Sequence, residues 1–183
     1  LYNLAKAEGF AGHVTLEGNR CTWHRDVNWH GEPEGADVGE IAFDDEGRMI
    51  ETGVLAQYAE QWVQNASADP CATPFSNGDY SGVLILDGDV GILGIGHGSK
   101  PSTQPVLDAL AGGTVPDNIA TLFDGMHALC RRQNDEVIAT LGTNPLVEGS
   151  RILSLGTDAV TWHKTGFDGS RMDVEMPIEK VSL

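Results

Sequence analysis

Val38-Gly39-Glu40-Ile41-Ala42-Phe43, Asp44-Asp45-Glu46-Gly47, Arg48-Met49-Ile50-Glu51-Thr52-Gly53-Val54: this stretch decides the fold class. Two runs that alternate apolar and polar residues flank a short acidic link, and Gly47 supplies the positive φ that a tight hairpin needs. The pattern predicts two antiparallel strands, Val38 to Phe43 and Arg48 to Val54, each with one buried face.

The same pattern spreads in both directions. Upstream, His13 to Glu17 and Cys21 to Trp29 flank a Gly18-Asn19 turn. Downstream, Val83 to Leu86 and Val90 to Ile95 flank Asp87-Gly88-Asp89, and Val137 to Leu141, Arg151 to Leu155, Ala159 to Thr165 and Met172 to Ile178 read as further strands. Helical signals are few. Pro105 opens a short run to Leu110 that stops at Gly112-Gly113, and a helical turn ending at Phe123 gives way to a strand through Met126, Ala128 and Cys130. Asn65 to Asp79, with Pro70 and Pro74, reads as a loop. About ten short strands with one or two short helices predict an all-β, mainly antiparallel barrel or sandwich, with a closed or nearly closed barrel preferred.

With 183 residues the chain buries roughly 70% of its unfolded surface, enough for one core, so residues 1–183 are expected to form a single domain. Eleven Lys and Arg face 27 Asp and Glu, a formal charge of −16. Such a field repels phosphate backbones and anionic lipid, which speaks against nucleic acid and membrane partners; only a local reversal of sign would mean more. Cys21, Cys71 and Cys130 are odd in number and lack a C-x-x-C pair, as expected of a reducing, cytoplasmic setting. No apolar run approaches the ~18 residues of a membrane span, and Leu1 to Phe10 lack the features of a secretory signal.

Thr22-Trp23-His24-Arg25 recurs as Thr161-Trp162-His163-Lys164. On a strand, Cys21, Trp23, Arg25, Val27 and Trp29 share one face, and the two-residue period turns that face inward because its indoles bury the most apolar area. Arg25 then needs a partner, since an unpaired buried guanidinium is prohibitively costly. Val54 to Gln64 carries no clear period, but read as a strand it places Tyr58, Glu60 and Trp62 on one face, which supplies one. The expected ligand-binding group is an Arg25–Glu60 pair walled by Trp23, Trp29, Tyr58 and Trp62; a purely structural ion pair closing a barrel end is the competing expectation.

Other chemistry is weaker. His24 and His30 stand too far apart along one strand to share a metal, and a site built on His24 and His163 requires the two Trp-His strands to pair, so no metal is expected. Gly91-Ile92-Leu93-Gly94-Ile95-Gly96-His97-Gly98 lacks the ending of a phosphate loop and reads as a bulge or bend where a barrel curves. For acid–base work the plausible groups are Glu60, Glu51 and His97.

Trp23-His24-Arg25-Asp26-Val27, Ala36-Asp37-Val38-Gly39-Glu40, Ile50-Glu51-Thr52-Gly53-Val54 and Tyr58-Ala59-Glu60-Gln61-Trp62, in that order, resemble the HRI family of lipocalin-like barrels, in its bacterial branch. The resemblance covers residues 10–64, with fainter likeness at Thr140 to Gly149 and Thr161 to Gly169. It implies a calycin-type barrel, and a build from two related halves would account for the Trp-His echo. The family has no agreed activity, so no catalytic residue is carried over. In lipocalins generally an Arg over a Trp near the closed end is structural, and the chain departs from the family pattern at the Asp44 to Gly47 turn and in Ser99 to Asp117. The function expected is a barrel that binds a small, largely apolar ligand in an internal cavity, without a cofactor. An isomerase, hydratase or cyclase in the same pocket, and a filled barrel acting as an interaction module, are the alternatives.

Overall fold

The structure is a computed structural model describing residues 2–6, 9–29, 35–63, 69–97, 104–117 and 119–179. Its alternating runs become thirteen strands among the described residues, in two antiparallel sheets that each follow chain order. The first sheet holds β1 (Phe10–Glu17), β2 (Arg20–Asn28), β3 (Asp37–Phe43), β4 (Met49–Gly53) and β5 (Ala59–Trp62). Gly18 and Gly47 close two of its hairpins with φ of 65° and 76°, a conformation that only glycine adopts without steric cost.

The second sheet runs through β6 (Cys71–Ser76), β7 (Ser81–Asp87), β8 (Val90–Gly96), β9 (Gly125–Gln133), β10 (Glu136–Gly142), β11 (Arg151–Leu155), β12 (Ala159–Thr165) and β13 (Arg171–Pro177). The chain returns to β6 at a Phe75–Ile178 bridge and a Glu179 N–H bond to the Pro74 carbonyl (2.9 Å), so this sheet is a nearly closed eight-stranded barrel. The helices are short: α1 (Tyr2–Lys6), α2 (Gln104–Ala111) and α3 (Ile119–Leu122).

Three expectations change. The strands number thirteen rather than about ten, partly because β6 lies within the segment expected to be a loop. Its Pro74 has no N–H to give, and β6 occupies the barrel's seam, where a single bridge to Ile178 replaces a full ladder and proline is tolerated. The barrel is also built from the second part of the chain alone, leaving β1 to β5 outside it. Finally, the middle of the barrel is packed rather than hollow. Phe75, Leu84, Ile95, Val137, Leu153 and Met176 are among the fully buried residues of one continuous core, and eight strands enclose a space just wide enough for side chains. Each such residue contributes about 1.5–3 kcal/mol by leaving water.

The five-stranded sheet rests against the outer wall of β7 and β8. Gly94 and Gly96 make this possible. A Cβ at Gly94 would lie 2.4 Å from the Ala11 Cβ, and one at Gly96 would lie 3.4 Å from a Val27 methyl. Both β7 and β9 pair with β8 in continuous register, so the glycine run is not a bulge; two of its glycines form a docking strip. Trp29, just past β2, is buried at the junction against Phe123, His127 and Phe167, with α1 and α2 packed over it.

The Trp-His echo is structural. Val14, Thr15 and Leu16 face Trp23, Thr22 and Cys21, while Leu153, Ser154 and Leu155 face Trp162, Thr161 and Val160 in the same register. A constant 139 positions separates Val14 from Leu153 and Trp23 from Trp162. In each copy the His turns outward and meets a hydroxyl of the neighbouring strand: His24 Nε2 with Thr15 Oγ1 at 2.9 Å, and His163 Nε2 with Ser154 Oγ at 2.8 Å. Since β2 and β12 belong to different sheets, the two histidines are not neighbours on paired strands.

Candidate functional site

Parity puts Trp23 and Arg25 on the inward face of β2, but inward here means toward the outer wall of the barrel. Cross-strand register sets their partners. Trp23 lies opposite Asp37, and the Arg25 guanidinium donates two hydrogen bonds to Asp37 Oδ2, 3.0 Å from Nε and 2.6 Å from Nη2. The Phe10 ring lies 4.3 Å from the guanidinium carbon, an arrangement in which the ring face attracts the cation.

The expected Arg25–Glu60 pair is therefore corrected: Asp37 is the partner and Glu60 is exposed. The buried carboxylate is Glu51, which stands opposite Glu60 on β4 and is only 1% exposed. Its Oε1 accepts hydrogen bonds from Trp23 Nε1 (2.8 Å) and the Tyr58 hydroxyl (3.0 Å). Gly39 leaves it the room, since a Cβ there would fall 2.3 Å from Oε1. Burial raises the Tyr58 pKa first and the Glu51 bond adds to it, so the phenol keeps its proton and acts as a donor.

Of the expected group, Trp23, Arg25, Tyr58 and Trp62 come together, with Trp62 stacked on Trp23 at 5.6 Å between ring centroids. Glu60 and Trp29 do not join the polar cluster. His97 lies at one end of the barrel, where its Nε2 meets Asp124 at 2.8 Å. Among the described residues no group of three or more His, Cys, Asp or Glu side chains could hold a metal ion, and no helix is long and apolar enough to cross a membrane.

Beside this cluster the sheet and barrel diverge, opening a cleft of about 590 Å³. Phe10, Gly12, Val14 and Trp23 form its sheet side, and Val83, Ile85, Ile92, Leu129 and Leu141 form its barrel side. The barrel residues occupy outward positions, where a strand facing water carries polar side chains. Ile92 and Leu129 nevertheless remain 50% exposed, and Leu141 57%. His127 and Thr143 supply polar atoms at the cleft, with the Thr143 hydroxyl accepting from the His127 backbone N–H at 3.0 Å.

This combination fits a small molecule. Two apolar walls with a few polar groups, in a volume between about 300 and 1,000 Å³, are the usual composition of such a site. Ile92, Leu129 and Leu141 escaped sequence reasoning because an apolar residue on the second face of a strand reads as a buried position. The signal was there: β7 and β8 are apolar on both faces, which implies cover on both sides. No protein-family model, no curated protein and no solved structure matches the chain.

Proposed function

We propose that the protein binds one small, largely apolar molecule in the cleft between the five-stranded sheet and the barrel wall. The observation that carries this is the pairing of two apolar walls around about 590 Å³, with Ile92 and Leu129 left half exposed on the barrel's outward face. Large apolar side chains held at a concave site lower the free energy of an apolar guest by about 25 cal/mol for each Å² removed from water. Trp23 forms the aromatic side, and its indole is fixed by Glu51. Arg25 is bound to Asp37 and stands behind the cleft, so it organises the sheet rather than touching the guest.

Kinship with the HRI family and with lipocalin-like barrels belongs to this proposal, supported by the hairpin repeated 139 positions apart. So do a cytoplasmic setting and the absence of nucleic acid and membrane partners, which rest on the charge of −16 and the cysteine pattern. Binding invokes no cofactor and no catalytic group.

The test is calorimetric titration with 1-octanol, together with native mass spectrometry of the freshly purified protein for a retained small molecule. Ile92→Trp fills the cleft from the barrel side and should weaken 1-octanol binding about tenfold or more while leaving the thermal melt in place. Equal affinity in wild type and a correctly folded Ile92→Trp would remove the cleft from the account.

A further inference from the structure

If the cleft is the binding site, its lining also names the class of guest. Lys, Arg, Asp and Glu make up 21% of the chain, yet among the described residues none of them lines the cleft. A cationic head would find no carboxylate there. An anionic head would find no cation, and it would have to approach a chain of net charge −16. Two arginines come near without entering. Arg25 lies behind Phe10 and is held by Asp37. Arg131 stands one register row outside, paired with Val90 where Leu129 pairs with Ile92, and is exposed to water. An ionised group drawn into the cleft would therefore lose its water without gaining a partner, which is costly.

Register orders the barrel side. Ile92, Leu129 and Leu141 lie on one cross-strand row, all apolar. Gly94 and His127 lie on the next, with Thr143 bonded to His127 at its end, so the polar end of the cleft is this row. Most polar side chains at the cleft are already committed. Trp23 Nε1 donates to Glu51. The His13 ring turns with His24 to the other face of the sheet, stacked on it at 4.3 Å with Nδ1 2.8 Å from Asp26. The His127 ring packs on Trp29 and is wedged between Gly9 and Gly94, where a Cβ would fall 2.6 Å from Nδ1 and 3.4 Å from Nε2, and its Nε2 is buried.

Thr143 differs. Its backbone N–H bonds the His127 carbonyl at 2.9 Å, and its Oγ1 accepts the His127 backbone N–H at 3.0 Å, which fixes the side chain and uses one lone pair. A hydroxyl also donates once, and among the described residues no acceptor takes this proton. A fixed O–H donor at one end of an uncharged apolar cleft matches an uncharged oxygen on a hydrocarbon body. We infer that the cleft selects a neutral guest with an acceptor oxygen, an aliphatic ketone, ester or alcohol, whose oxygen accepts from the Thr143 hydroxyl while its hydrocarbon body lies over Ile92 and Leu129.

Three eight-carbon probes test the inference on the wild-type protein: 2-octanone, octanoate and octylamine. Calorimetry gives their affinities and backbone amide shifts give their location. 2-Octanone should shift the amides of Gly94, Leu129 and Thr143, and should bind there about tenfold or more tightly than either ion, since each ion would leave water unpaired. The carbonyl stretching band of bound 2-octanone should lie below its position in hexane, as that of a hydrogen-bonded ketone does. Thr143→Val removes the hydroxyl and should weaken 2-octanone about three- to tenfold, the worth of one neutral hydrogen bond, whereas Thr143→Ser should bind nearly as wild type does. Thr143→Val also leaves the His127 N–H without its acceptor; should it fail to fold, the carbonyl band and the wild-type probe series decide. Octanoate or octylamine bound at these amides as tightly as 2-octanone, a bound band at the hexane position, or a folded Thr143→Val of wild-type affinity would overturn the inference and leave the cleft standing. Failure of every probe to bind in the cleft would overturn both.

Discussion

Replacing Glu51 with Leu gives a quantitative test of what holds the sheet side of the cleft. Glu51 Oε1 is the acceptor for both Trp23 Nε1 and the Tyr58 hydroxyl, and Leu can accept neither. A hydrogen bond to a charged group is worth about 1.5–3 kcal/mol, so the two together are worth about 3–6 kcal/mol. Trp23 and Tyr58 are only half buried, so water recovers part of this, and removing a buried carboxylate offsets more. The net expectation is a loss of about 2–3 kcal/mol. With a urea m-value of about 2 kcal/mol/M, the midpoint should fall by about 1–1.5 M. Glu51→Gln keeps an acceptor oxygen for both donors and should lose less than half as much. The assay is equilibrium urea unfolding followed by far-UV circular dichroism, with an unchanged slope as the check that cooperativity survives. A Glu51→Leu midpoint within about 0.25 M of wild type, or Glu51→Gln as damaging as Glu51→Leu, would refute the assignment of Glu51 as the anchor of Trp23.

Gly94→Ala should destabilise the protein by about 1–3 kcal/mol and loosen the sheet from the barrel, because the new Cβ would meet that of Ala11; thermal unfolding checks this, and unchanged stability would mean the contact yields freely. Burial tends to raise the pKa of Asp124, but its bonds to Lys164, His97 and Tyr80 outweigh this and hold it below the usual carboxylate range. A folded pKa below the unfolded one gives stability that is present above the unfolded value and lost as pH falls through the folded one. Wild type should therefore lose more stability than Asp124→Asn between about pH 5 and pH 2, and parallel acid titrations of the two would contradict the pairing. Burial pushes the Cys130 thiol up to about 11 and also raises Cys21, whereas Cys71 is exposed. Ellman's reagent should thus modify one thiol quickly in the native state and the other two only on unfolding; rapid reaction of two or three thiols would count against the packed interior.

The hairpins were legible because each is encoded locally: alternation names the strands, and glycines such as Gly47 and Gly18 name the turns. Legible too were the shared face of Trp23 and Arg25 and the need of Arg25 for a carboxylate. What failed was choice among equals at long range. Asp37, Glu51 and Glu60 all lie on strands of one sheet, and the partner of Arg25 is set by register across the β2–β3 link, which no local pattern specifies. Two-residue alternation likewise says that a face is buried without saying what covers it. For β2 the cover is the outside of a barrel made by the rest of the chain, and for that reason the cleft that Trp23 lines lies between the sheets.

Mapping 1-octanol onto the backbone amides of the wild-type protein by two-dimensional nuclear magnetic resonance tests the central claim most directly. The account predicts saturable shifts concentrated at Gly12, Val14, Ile92, Leu129 and Thr143, which line the cleft from both sides. Saturable shifts at barrel-interior residues such as Leu84, Val137 and Leu153, or no shift at the cleft up to the solubility limit of the alcohol, would contradict it.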